Sequence, residues 1–164
     1  MQVAKAAILI ALVAGAGGCS SKFETYHGPE VTRVVVQKSA RRMYLLHEEN
    51  VLKAYKVDLG FAPQGDKKVE GDGKTPEGNY TIDRRNPNSD FYLSIGISYP
   101  NEQDIAEARA LGQLPGGDIF IHGGRRRTDS RKPDWTYGCI SVSNREMKTV
   151  YAMVNDGTPI TITP

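Results

Sequence analysis

Two residues carry the strongest chemical signal in this sequence, His122 and Cys139. Ile119-Phe120-Ile121 runs into the histidine and reads as a short buried strand. Ile140-Ser141-Val142 follows the cysteine and reads as a second one. Both residues therefore stand at strand ends. Their separation of seventeen positions lets the chain leave one strand and return beside it. A thiol is a weak nucleophile until it loses its proton, and an adjacent imidazole is a natural acceptor. Such a pair is expected to hold the thiol below its free value of about 8.5. Gly138, lacking a Cβ, would let a substrate carbonyl come close to Cys139 and let the turn take an unusual φ. The chemistry open to such a pair is nucleophilic attack by the thiol; the alternative on residue types alone is a small buried Cys and a hydrogen-bonded structural His.

Other chemistries find less support. Two cysteines and three scattered histidines give no metal-ligand spacing, so no metal and no cofactor is expected. There is no Gly-x-Ser-x-Gly elbow and no phosphate-cradling Gly-x-x-x-x-Gly-Lys. Asp129 and Asp134 could form the acid pair of a glycosidase, but in an Arg-rich loop they read more simply as ion-pair partners. A net charge of +2 argues against a general nucleic-acid binder. His27 and His47 read as solvated, His47 in a turn.

The elements that must position the pair are mostly strands. Val31–Val36, Met43–Leu46 and Val51–Val57 are β-branched or alternating, the last two joined as a hairpin. Residues 60–73 read as loop, followed by a strand over Asn79–Ile82. Arg84–Ser89 then reads as a turn, and Phe91–Tyr99 alternates like a strand with one buried face. Two helices come late. One starts at the cap Asn101, ends before Gly112, and spaces Ile105, Ala108 and Leu111 as its apolar positions. The other spans Asn144–Val154 with a stripe of Met147, Val150, Tyr151 and Val154. Thr158–Ile162 closes the chain as a strand. A length of 164 residues suits one mainly-β domain, a curved sheet or sandwich with two short helices packed on it.

Thr136-Tyr137-Gly138-Cys139-Ile140, preceded by His122-Gly123, resembles the signature of the L,D-transpeptidase catalytic-domain (YkuD-type) family. Lys74-Thr75-Pro76-Glu77-Gly78-Asn79-Tyr80 resembles the upstream Thr-Pro-x-Gly-x-aromatic motif of that family. The resemblance runs from Val31 to the C-terminus. Tyr137 stands where many members have His, and Ser141 where many have Arg or Asn. The resemblance implies a YkuD-like β-sandwich and a peptidoglycan L,D-transpeptidase active in cell-wall biogenesis and cell shape. Cys139 would attack a tetrapeptide stem at diaminopimelate and release D-Ala with help from His122. The stem would then pass to an amine, giving a cross-link or an anchored protein. A carbonyl of Gly123 or Gly124 would orient His122, and backbone N–H groups near Gly138-Cys139 would hold the oxyanion. Arg125, Arg126, Arg127 and Arg131, with Thr136 and Tyr137, are the expected substrate contacts, guanidinium being suited to carboxylate. One alternative is a carboxypeptidase or amidase using the same acyl-enzyme with water. Another is a non-catalytic wall-binding lipoprotein, which would have no need of a free thiol beside an imidazole.

Residues 1–18 hold one cation, Lys5, and an apolar run over residues 6–14, too short for a comfortable membrane span. They read as a signal peptide, whose removal lowers the net charge to +1. Gly17-Gly18-Cys19-Ser20 resembles a lipobox, with Cys19 as the lipidated residue and Ser20 favouring the outer membrane. Residues 19–30 then read as a lipidated tether and residues 31–164 as the catalytic domain. The expected protein is a monomer on the periplasmic side of the envelope, held to a membrane by its lipid and meeting peptidoglycan stem peptides. With Cys19 acylated, Cys139 is a lone thiol in an oxidising compartment, a hazard unless it is used.

Overall fold

The computed structural model describes residues 21–125, 129 and 132–164. Eight strands and two helices follow in the order β1 (Arg33–Gln37), β2 (Arg42–His47), β3 (Asn50–Lys56), β4 (Gly78–Asn86), β5 (Ser94–Ile97), α1 (Glu102–Ala110), β6 (Phe120–His122), β7 (Ile140–Ser141), α2 (Asn144–Met153) and β8 (Pro159–Thr163). The strands form one ladder in the order β3-β2-β1-β8-β4-β5-β6-β7. The closing strand β8 inserts between β1, to which it runs parallel, and β4, to which it runs antiparallel.

β4 makes the sheet curl. Its first residues, Gly78 to Thr81, pair with β8, and its later residues, Ile82 to Asn86, pair with β5. The register shifts between Ile82 and Arg84, an irregularity of the kind that bends a strand and increases its twist. Beyond β3 the chain returns to β7, where Asp58 and Ser141 exchange backbone hydrogen bonds of 2.9 and 2.8 Å. The two ends of the ladder thus meet beside the Cys139 turn. A single core lies inside, with Val34 and Val36 of β1, Met43 and Leu45 of β2, Ile121, Ile140 and Ile160 all fully buried. In β1 only alternate residues are buried, as the two-residue period of a strand requires.

Both helices carry capping boxes, Asn101 with Asp104 and Ser143 with Glu146. On α2 the expected stripe is core: Met147, Val150 and Val154 are fully buried, with Tyr151 packed partly against them. On α1 the expectation fails. Ile105 and Leu111 are exposed, and the helix buries Ala108 and Asp104. Asp104 is accommodated because Tyr80 donates its hydroxyl at 3.1 Å and Asn101 its backbone N–H at 2.9 Å. Burial is the main cause that raises the Asp104 carboxyl above the usual range.

Three further segments differ from the sequence reading. β4 runs on through Arg84 and Arg85, where a turn was expected. Their guanidinium groups lie over Phe120 (4.6 Å) and Tyr151 (3.9 Å), and Arg85 donates to the carbonyls of Tyr151 and Val154 at the end of α2. The run Phe91–Tyr99 is a strand only over Ser94–Ile97, all four residues buried, because Tyr92 turns the chain at φ 75°. His47 is the last residue of β2 rather than part of the turn.

The loop after residue 60 is anchored by two buried lysines. Lys38 donates to Gly65 O (2.5 Å), Thr75 O (2.8 Å) and Glu77 Oε1 (2.8 Å). Lys67 donates to Val69 O (2.9 Å) and Asp72 Oδ1 (3.0 Å). Losing a partner of a buried pair leaves an uncompensated charge, at a cost of about 3–5 kcal/mol, so the loop is held in one conformation.

Candidate active site

The turn bearing Cys139 is built by Thr136. Its backbone is fixed on both sides, donating to Leu59 O (3.1 Å) and accepting from Phe61 N–H (2.8 Å). Its buried hydroxyl donates to Cys139 O (2.7 Å) and accepts from Gly138 N–H (3.2 Å). Gly138 sits at φ 131°, and a Cβ there would lie 2.7 Å from Lys74 O and 3.1 Å from Ile119 Cδ1. Only glycine satisfies both the conformation and the space. Thr75, fully buried, accepts Gly60 N–H at 3.0 Å. The upstream motif around Lys74-Thr75 is therefore packed beneath the Gly138-Cys139 turn, some sixty residues away in the chain.

Cys139 is half-buried, and its thiol donates a weak hydrogen bond to Asp118 O at 3.5 Å. Burial pushes the thiol above its ordinary value, and the Asp118 carboxylate adds to the rise. A hydrogen bond from Phe120 N–H and the charge of Lys67 oppose it. This is the reverse of the shift expected from an imidazole partner. Packing around the sulfur penalises the anion more than the nearby donor and cation favour it. The resting group is a neutral thiol at pH 7. Its alkylation by iodoacetamide should accordingly be slow at neutral pH and accelerate as pH rises past 9, roughly tenfold per unit below its pKa. A neutral-pH plateau in a stopped-flow pH series would contradict the raised thiol.

His122 ends β6 and is buried. Its Nδ1 lies 2.7 Å from Gly123 O. A carbonyl oxygen can only accept, so Nδ1 carries the proton, and in the neutral tautomer of such a ring the lone pair lies on Nε2. The Phe91 ring packs against the imidazole at 4.5 Å, and the edge of Trp135 approaches at 5.7 Å. Gly123 is forced by space, since a Cβ would meet Asn144 Oδ1 at 2.8 Å and Met147 Cβ at 3.1 Å. The first turn of α2 thus lies directly beneath the carbonyl that holds the imidazole. His122 and Cys139 line the same cavity of about 280 Å³, with Asp90, Phe91 and Asp118 in its walls.

The sequence matches the family model of the L,D-transpeptidase catalytic domain, YkuD, over residues 31–162. The chain belongs to the L,D-transpeptidase catalytic-domain family. It is 32% identical over 109 residues to a putative L,D-transpeptidase, YafK, of Escherichia coli K12, a match covering 65% of this chain and 34% of that protein. Its fold is similar to that of the helical cell shape determining protein Pgp2 of Campylobacter jejuni, with TM-score 0.63, 29% identity, and coverage of 84% of this chain and 49% of that one. It also resembles an L,D-transpeptidase from Mycobacterium smegmatis, at TM-score 0.54 and 15% identity, covering 82% and 59% of the two chains. This chain thus spans about a third of YafK and half of Pgp2.

Within this L,D-transpeptidase domain the other expected site residues are dispersed. Tyr137 is 82% exposed at the tip of the turn, its ring set edge-on against Phe61 at 5.4 Å. Arg125 lies in a neighbouring cleft of about 580 Å³ rather than in the Cys139 cavity. It donates to Asp58 Oδ2 (2.7 Å) and Lys132 O (3.1 Å) and stacks over Trp135 at 5.2 Å. Arg126, Arg127 and Arg131 lie outside the described residues, as does Cys19. Asp134 pairs with Arg41 at 2.8 Å and accepts Leu59 N–H, bracing the turn from outside the Arg-rich loop. The sequence reading missed Phe91, Trp135 and Asp118, which reach the site through turns that carry no periodic signal.

Proposed function

We propose that this domain is a cysteine acyltransferase acting on the tetrapeptide stems of peptidoglycan, with Cys139 as nucleophile and His122 as base. The observation that carries the reading is the shared cavity, in which Gly123 O fixes His122 Nδ1–H and leaves Nε2 as the proton acceptor. Because the resting thiol is neutral, its proton leaves during attack. Cys139 Sγ bonds to the carbonyl carbon of diaminopimelate as the S–H proton passes to His122 Nε2. The tetrahedral adduct then collapses, the C–N bond to D-Ala breaks, and the imidazolium protonates the departing amine. The thioester is resolved when an amine of a second stem attacks, its proton returning through His122. Gly138 N–H already serves Thr136, whereas among the described residues Cys139 N–H and Tyr137 N–H donate to nothing. These two amides are the oxyanion donors. Arg125, Arg126, Arg127 and Arg131 are the candidate contacts for the stem's carboxylates in this proposal, and Thr136 and Tyr137 those for the acyl chain.

Incubation with purified sacculi, followed by separation of muropeptides, tests the reaction. Dimeric stems joined between two diaminopimelates are the expected product. Loss of D-Ala without new dimers would assign water as the acceptor and make the enzyme a carboxypeptidase. Unchanged muropeptides would return it to a wall-binding role.

Residues 1–18 act, in this proposal, as a signal peptide, and Cys19 carries lipid at the periplasmic face of the outer membrane. Among the described residues no helix is long and apolar enough to cross a membrane. Mass spectrometry of the N-terminal peptide from native envelopes should find acylated Cys19. An unmodified Cys19 there would overturn the anchor.

A further inference from the structure

Residues 21–30, read from sequence as part of a tether, are docked along the domain. Lys22 Nζ donates to Pro87 O at 2.7 Å and lies 5.2 Å from the centre of the Tyr92 ring, whose hydroxyl donates to Lys22 O at 3.4 Å. The next residue, Phe23, packs its ring 6.1 Å from that of Tyr151 on α2. Glu24 then takes both Thr149 Oγ1–H (3.2 Å) and Lys148 Nζ (3.5 Å) from the same helix. Within three residues the segment grips two separate parts of the fold, the 87–92 turn and α2.

Those two parts are the ones that hold His122. The turn supplies Phe91, whose ring lies on the imidazole and whose carbonyl borders Gly123 and Gly124. The helix supplies Asn144 and Met147 beneath Gly123, the residue whose carbonyl fixes Nδ1. Tyr92 sits at φ 75°, a conformation that an L side chain holds only when its surroundings impose it. The Lys22 contacts supply such surroundings. Neither Lys22 nor Glu24 lines the Cys139 cavity.

We propose that residues 21–24 form a clamp across α2 and the 87–92 turn, and that Lys22 and Glu24 are positioning residues for His122. The clamp makes the stretch directly after the proposed lipid site a working part of the catalytic centre. The proposal rests on the reading of His122 as the base. Opening the clamp lets Phe91 and Gly123 relax apart, and the imidazole loses the fixed orientation on which proton transfer depends.

The test compares the wild type with Lys22→Met/Glu24→Ala and with Lys22→Arg in the full chain. The first readout is the His122 Nδ1–H resonance in ¹H–¹⁵N spectra, which needs no turnover. It should be sharp and exchange-protected in the wild type and in Lys22→Arg, and broadened or lost in the double variant. The second readout is single-turnover acylation by a tetrapeptide stem. It should fall about tenfold or more in the double variant, as small displacements of catalytic groups do, and recover to within about twofold of wild type in Lys22→Arg, whose guanidinium can keep both the Pro87 and Tyr92 contacts. A melting temperature within a few degrees of wild type separates this from unfolding. An unchanged His122 resonance in the double variant would overturn the clamp, whatever the activity. A wild-type enzyme that never acylates would instead remove the reading of the function, with the spectrum still deciding the clamp.

Discussion

Replacing Cys139 with alanine should eliminate every covalent adduct with a tetrapeptide stem, as read by intact-protein mass in a Cys19→Ser background. Cys19 is the only other cysteine of the chain, so that background leaves one thiol and one place for a thioester. The loss should be complete rather than partial, because among the described residues no other thiol lines the cavity. Thr136 Oγ1 is committed between Cys139 O and Gly138 N–H, and Ser141 follows on β7 with its backbone tied to Asp58. The fold should survive. Among the described residues the sulfur's contacts are a weak bond to Asp118 O and one from Phe120 N–H, so the substitution should cost about 1 kcal/mol, a typical single-residue effect. An adduct of wild-type yield in this variant would place the nucleophile elsewhere.

The neutral resting thiol also constrains how Cys139 reacts. A preformed thiolate would attack any electrophile that reaches the cavity. A buried thiol that surrenders its proton only to a fixed imidazole reacts when substrate sits between the two. Under the proposed export to an oxidising compartment, this would limit loss of the thiol to sulfenic acid, which follows thiolate character and exposure. Under the proposed mechanism, burial slows adventitious chemistry at the sulfur while His122 Nε2 would start the reaction.

The candidate site was legible where chemistry and local structure coincide in sequence. Cys139 and His122 stand out because each follows or precedes an apolar strand and abuts a glycine, and the fold brings them to one cavity. Gly123 and Gly138 are glycines for reasons of space that appear only on folding, Asn144 and Met147 blocking one and Lys74 O the other. Helix caps are local, so Asn101 marks one helix start and Ser143 or Asn144 the other, and the structure caps the second at Ser143. Four things were not legible. Arg84-Arg85-Asn86 reads as a turn by composition, but aromatic rings and the open carbonyls of α2 let it continue β4. On α1, Asp104 occupies the buried face because Tyr80, arriving from β4, receives it, and no helical period encodes that partner. The thiol shift depends on how densely the sulfur is packed, a tertiary quantity that overrode the expectation drawn from residue types alone. Residues 21–24 were read as linker because they are polar, yet each of Lys22, Phe23 and Glu24 has a partner in the fold.

Substituting His122 should slow acylation of Cys139 by about two to four orders of magnitude, the range for loss of a general base. Glutamine is the informative replacement. Its amide can still donate to Gly123 O and fill much of the space beside Phe91 and Trp135, but it cannot take a proton at neutral pH. In His122→Gln, acylation can proceed only through the small fraction of thiolate present in solution. Since burial raises the thiol, the rate should climb about tenfold per pH unit through neutrality and flatten only above pH 9. The wild type should be flatter over the same range, because its base removes the proton within the complex. In His122→Ala the vacated volume opens onto the cavity of about 280 Å³, so added imidazole should restore part of the rate. The same imidazole should do nothing for Cys139→Ala. Single-turnover acylation followed by intact mass from pH 6 to 10 gives all of these rates. Wild-type speed at pH 7 in His122→Gln would show that another group takes the thiol proton, and the carboxylate of Asp118, beside the sulfur, would be the next to replace.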